Sequence, residues 1–160
     1  MVTRDGQEMS LTPDAATVLA DLLSLGVIPT SGHRTVAGQA RAMAVNVAMN
    51  RQWIGQTYRH GAALQALVDA HPESTTEADI GDMLFKAMTH DGLGKGISHH
   101  LLLPCPCFDL DPDSVTESAR LRIEDYQREG VIMQVIWREG GLKKCHIEVA
   151  ALPDNKRMEV

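Results

Sequence analysis

Apolar positions recur at helical spacing through the first half of the chain and form short extended runs in the second. Thr12-Pro13 marks a helix start, because a threonine oxygen accepts a first-turn N–H and proline's fixed φ suits the first helical position. Val18, Leu19, Leu22 and Leu23 then repeat at spacings of three and four, and Gly26 ends the segment. Val27 and Ile28 lead through Pro29 into a loop, Thr30-Ser31-Gly32-His33-Arg34-Thr35. Thr35 is suited to cap a second helix with Val36, Ala40, Met43, Ala44 and Val47 on one face. Residues 50–71 read as helix, broken near 59–61, with Trp53, Ile54, Leu64, Leu67 and Val68 as core positions. His71-Pro72 stops it, since a residue before proline avoids helical angles. Thr76, with Asp79 three positions on, opens another helix whose face is Ile80, Met83, Leu84 and Met88. The helix methionines, Met43, Met49, Met83 and Met88, read as core packing. Trp53 and Tyr58 fit either packing or the lining of a cleft.

The second half changes period. Residues 91–96 predict a loop, and Ile97 to Leu103 predicts a strand that carries Ser98-His99-His100. A Pro/Cys turn leads to Phe108-Asp109-Leu110. Asp113 or Ser114 is expected to cap a helix reaching about Glu129, with Val115, Ala119, Leu121, Ile123 and Tyr126 in or near its buried face. Gly130 stops it. Val131 to Trp137 and Leu142 to Leu152 read as strands joined through Glu139-Gly140-Gly141. The polar tail, 153–160, is expected to fray. Helices followed by a small, mostly antiparallel sheet give the fold class α+β, in a single domain spanning 1–160.

Composition narrows the functional classes. The chain has 160 residues, 44% hydrophobic and 22% charged, which suits a globular domain and excludes a collagen-like or disordered one. With a net charge of −6 and scattered lysines and arginines, it lacks the concentrated positive charge that a nucleic-acid surface needs. No apolar run approaches the roughly 18 residues of a membrane span, and the first ten residues carry no signal-peptide core. The expectation is synthesis in the cytoplasm without a signal peptide, and no membrane insertion. Three cysteines cannot close a disulfide framework, so Cys105, Cys107 and Cys145 read as buried free thiols. The alternative is a closed thiolate site for a metal, made from these cysteines and a nearby histidine. Cys145 and His146 face opposite sides of a regular strand, which argues against their sharing one ion.

The candidate chemistry lies in three positions far apart in sequence: His100, Asp109 and His146. Two imidazoles and one carboxylate are a ligand set for catalytic zinc, which keeps a further position for water. They leave the site one net positive charge, which helps acidify a bound water. His33, His60, His71 and His90 read as ordinary core or surface residues. The neighbouring His99 stands as the alternative to His100.

This set occurs in a recognisable order. Ser31-Gly32-His33-Arg34-Thr35 followed by Gln39 resembles the Ser-Gly-Tyr-Arg-Ser/Thr…Gln element of the zinc D-alanyl-D-alanine carboxypeptidases and phage L-alanyl-D-glutamate endolysins, a superfamily related to the Hedgehog zinc fold. Ser98-His99-His100…Asp109-Leu110 resembles its Ser-x-His…Asp element, and His146-Ile147-Glu148-Val149 its last ligand strand. Trp137 through Gly140-Gly141 resembles its Trp-Gly-Gly turn. The resemblance covers about 12–152, with 50–92 as a helical insertion of the kind in longer phage members. It implies a Hedgehog/DD-peptidase-like fold and a zinc-dependent peptidase (a hydrolase of peptidoglycan stem peptides, phage-encoded and active at the bacterial cell wall). It implies zinc ligands His100, Asp109 and His146, with Arg34, Ser31 and Gln39 on the substrate side. Virion proteins would be partners if the protein is carried in a particle.

The chain departs from the family at defined points. Eight residues separate His100 from Asp109, a longer gap than the family's, with Pro104-Cys105-Pro106-Cys107 as the extra bulge. Lys143 stands three residues before His146, where the family has its acidic general base. A lysine is a poor proton acceptor there. Glu139 is the substitute base, and Glu148 is placed beside His146 as a supporting partner. The competing reading is a catalytically inactive structural or wall-binding module of the same fold, such as a virion or tail component.

Overall fold

The computed structural model describes residues 3, 6, 8–139 and 141–149. The expected fraying of 153–160, the strand end at 150–152 and Gly140 of the hairpin lie outside the described residues. In chain order the elements are α1 (Pro13–Leu23), β1 (Pro29–Ser31), α2 (Val36–Met49), α3 (Trp53–Thr57), α4 (Ala62–Ala70), α5 (Glu77–His90), β2 (Cys107–Leu110), α6 (Glu117–Arg128), β3 (Ile132–Glu139) and β4 (Leu142–Val149). The class is α+β, with a small antiparallel sheet among the described residues. No helix is long and apolar enough to cross a membrane among them. The chain forms two compact units, one from residues up to His33 and from Leu102 onward, the other from Arg34–Leu101.

The first unit holds the sheet, in the order β1-β2-β4-β3 with every neighbour antiparallel. Thr12 caps α1 by accepting from the Ala15 N–H. The helix then presents Ala15, Val18, Leu19 and Leu22 to the core. On the sheet, Phe108 and Leu110 of β2 and Cys145, Ile147 and Val149 of β4 point into that core, beside Ala119, Ile123 and Tyr126 of α6. Strand alternation therefore turns Cys107 and Asp109, and His146 and Glu148, to the opposite face. Asp21 of α1 ties the two helices together, accepting from Arg122 Nε at 2.6 Å and Tyr126 Oη at 2.9 Å. Those hydrogen bonds hold the Asp21 carboxyl below its ordinary pKa. Gly130, at φ +73°, gives α6 its left-handed exit.

The second unit is helical. Thr35 and Thr76 cap α2 and α5 through the N–H groups of Gly38 and Asp79. Thr76 also donates to Asp79 Oδ2 at 2.7 Å. The expected break falls between α3 and α4. A Cβ on Gly61 would come within 2.9 Å of the Ile54 carbonyl oxygen, so the turn closes only around glycine. Arg51 donates to the Val68, His71 and Ser74 carbonyls and so satisfies the open end of α4. Trp53 is a core residue of this unit, edge-on to the Tyr58 ring at 5.4 Å.

Three expectations are corrected. Ile97 to Leu103 is not a strand: His99–Leu101 is a single 3-10 turn. Ile97 and Leu101 both pack against the helical core, and a spacing of four is a helical period. The cap of α6 is Thr116, which accepts from the Ala119 N–H, while Asp113 and Ser114 lie in a separate 3-10 turn. Leu121 and Met49 are exposed rather than core. The Pro/Cys turn does precede β2, with Cys105 bridging to Leu11 and the pairing of β2 with β4 starting at Cys107.

Candidate metal centre on the inner strands of the sheet

The site follows from the pairing of β2 with β4. Asp109 lies directly opposite His146, and Cys107 opposite Glu148. Directly opposed residues on antiparallel strands share a face and bring their side chains within reach. Asp109 Oδ1 lies 2.8 Å from His146 Nδ1, and Glu148 Oε1 3.3 Å from His146 Nε2. One ligand atom of Cys107 falls within 4.8 Å of one on His146, so a candidate metal-binding cluster exists among the described residues. Asp109 is 4% exposed. On the outer side Ser31 of β1 is opposite Asp109, and its buried hydroxyl has no hydrogen-bond partner among the described residues.

The electrostatics favour a cation. Burial alone would pull the His146 pKa down, but hydrogen bonds and charge from Asp109 and Glu148 outweigh it and push the value up to about 9. The Cys107 thiol is pushed strongly upward by its hydrogen bond with Cys105, by burial and by the same two carboxylates. Cys145, on the core face, is pushed up to about 12, chiefly by burial. Two carboxylates thus face one imidazole and one neutral thiol in a water-poor place. Around a four-coordinate ion with bonds of about 2.0–2.1 Å, two ligand atoms sit roughly 3.3 Å apart. The Asp109–His146 pair would have to open only slightly to admit one. His146 and Cys107 carry donor atoms of a kind that could hold a metal ion, and Asp109, hydrogen-bonded to His146 Nδ1, stands beside them. Nε2–H donating to Glu148 would fix the imidazole tautomer.

The raised His146 pKa predicts a pH dependence. A histidine whose folded pKa lies above its unfolded value stabilises the fold fully below the unfolded value, 6.5, and loses that contribution as pH rises through about 9. Urea unfolding of metal-free protein is expected to show a loss on the order of 3 kcal/mol between these two pH values. His146→Gln should flatten the dependence. An unchanged slope in that variant would refute the assignment.

The remaining sequence-derived residues are placed as follows. His100 belongs to the helical unit and is 4% exposed, whereas His99 is exposed. The Ser98 hydroxyl accepts from the His100 N–H at 3.3 Å, and the His100 carbonyl accepts from the Arg34 N–H at 2.7 Å. Arg34 donates to Gln39 Oε1 at 3.4 Å, and fully buried Gln39 donates to Tyr58 Oη at 2.9 Å. Glu139 Oε2 lies 3.7 Å from Lys144 Nζ. Lys143 is exposed and pairs with Asp113 at 3.0 Å. A register shift between Ile136 and Arg138 separates the His146 level of the hairpin from its tip. Strand alternation therefore does not carry the face of His146 through to Lys143. Sequence reasoning grouped Cys107 with the other cysteines and missed that it stands beside Asp109. The signal was the spacing of two along β2. Comparison with protein-family models, curated proteins and solved structures gives no match.

Proposed function

We propose that the chain is a zinc-dependent peptidase of peptidoglycan stem peptides, of the Hedgehog/DD-peptidase kind, serving phage-directed lysis at the bacterial cell wall. The observation that carries the reading is the Asp109–His146 pair, two of the three ligands read from the sequence, opposed on a buried sheet face at 2.8 Å. His100 is the third ligand that the motif order assigns, with His99 as its alternative. A divalent ion held there would supply Lewis acidity for the scissile carbonyl and an activated water as nucleophile. Glu148 orients His146. Arg34, held by Gln39, offers forked donors to a substrate carboxylate. Ser31 contributes its buried hydroxyl at the Asp109 level. Glu139 is the carboxylate proposed as proton acceptor.

Elemental analysis of purified protein should find about one zinc per chain, and incubation with peptidoglycan should release stem-peptide fragments. Glu139→Gln should cut turnover by about 100-fold or more while keeping the zinc. Protein without zinc would refute the reading. One observation favours the inactive wall-binding or virion module instead: the family's base position is a lysine paired with Asp113, and Glu139 is engaged by Lys144. Zinc bound without any hydrolysis would decide for that module.

A further inference from the structure

We infer that Cys107 is a further ligand at this centre, binding the ion through its sulfur. The inference rests on the reading that Asp109 and His146 hold a divalent metal. Cys107 is two residues before Asp109 on β2 and directly opposite Glu148, so it shares the face of the ligand pair. Its Sγ or neighbouring geometry needs little change, because a Cys107 ligand atom already lies within 4.8 Å of one on His146. Ligand atoms around a four-coordinate ion, with bonds of about 2.3 Å to sulfur and 2.0 Å to nitrogen, sit about 3.5 Å apart. Rotation of one short side chain covers that difference.

Comparison with Cys145 shows what sets this one apart. Cys145 is a packing residue, surrounded by the apolar core of its unit. Cys107 is equally inaccessible, at 0% exposure, yet belongs to no apolar core cluster. Its surroundings are polar: Asp109 and Glu148, with the Ser31 hydroxyl, which has no hydrogen-bond partner among the described residues, at the Asp109 level. Cys105 Sγ sits 3.1 Å from the Cys107 carbonyl oxygen and 3.4 Å from its Sγ.

On binding, the Cys107 S–H bond breaks, the proton passes to solvent, and the freed electron pair forms the bond to the ion. The ligand shifts the preference of the centre toward thiophilic ions such as zinc, cobalt and cadmium, and away from magnesium and calcium. With His100, Asp109 and His146 it would make four protein donors, so the water of the proposed reaction would enter as a fifth ligand. Cys107 thereby decides how open the metal is.

The test is titration of metal-free full-length protein with cobalt(II), followed by absorption spectroscopy. The native protein should bind about one cobalt per chain and show visible ligand-field bands together with a near-ultraviolet thiolate-to-cobalt band. Cys107→Ser should keep the visible bands, lose the near-ultraviolet one and weaken zinc binding by at least about 100-fold. Cys145→Ser should keep both. Cobalt bound by native protein without the thiolate band overturns the role of Cys107 and leaves the metal reading standing. This outcome needs no variant to fold. A thiolate band that survives Cys107→Ser does the same. Failure of native protein to bind either cobalt or zinc overturns both.

Discussion

Asp109→Ala is expected to lower the unfolding free energy by about 3–5 kcal/mol, because it strips a buried ion pair of one partner and leaves the other uncompensated. Of the two carboxylates hydrogen-bonded to His146, Glu148 would remain, at the longer distance of 3.3 Å. The same change removes a proposed ligand, so zinc content should fall to background. Asp109→Asn keeps the shape and a hydrogen-bond acceptor for His146. It should therefore cost less in urea unfolding while losing the metal equally. Asp113→Ala breaks a pair whose side chains are 69% and 76% exposed and should leave stability nearly unchanged. If Asp109→Ala unfolds at the native urea midpoint, the pair contributes nothing and the site has been misjudged.

The second large effect lies on the other face of the same strand. Phe108→Ala should cost about 3–5 kcal/mol, since Phe108 is fully buried against both helices' faces of the first unit and truncation leaves a cavity. It should also weaken metal binding without touching a ligand. Phe108 pairs with Ile147, and its two chain neighbours are Cys107 and Asp109, so the packing of this ring fixes the strand that carries them. Leu103 and Met133, at 68% and 72% exposed, serve as controls expected to show little change. Calorimetry with and without zinc separates the two effects: a variant that loses stability but keeps native zinc affinity would show that ring packing does not govern the site.

Much of the local structure was legible because its causes are local. Thr12, Thr35 and Thr76 cap helices wherever they precede an amphipathic run, and a threonine hydroxyl needs only an N–H three residues on. The break before α4 followed from Gly61, and the end of α6 from Gly130. The failures share a cause as well. Ile97 to Leu103 looked extended because it is apolar and short, but a strand also needs a neighbour, and these residues found a helical core instead. Thr116 outcompeted Ser114 as a cap because Ser114 was spent elsewhere, accepting from the Ile28 N–H at 2.9 Å across a long stretch of chain.

By itself the sequence determined which groups could do chemistry here and in what order they come: a buried-type acid, two histidines, three thiols and an arginine loop. It also determined most helix ends, the closing hairpin and the apolar half of each strand, all set by hydrogen bonds and periodicities spanning a few residues. Only the tertiary structure decided that Asp109 meets His146 across 37 positions, that Glu148 takes the other ring nitrogen, and that Cys107 joins them while Cys145 joins the core. Those outcomes depend on the register between two strands. A slip of one residue would send every one of these side chains to the opposite face, and only the packed sheet selects against it.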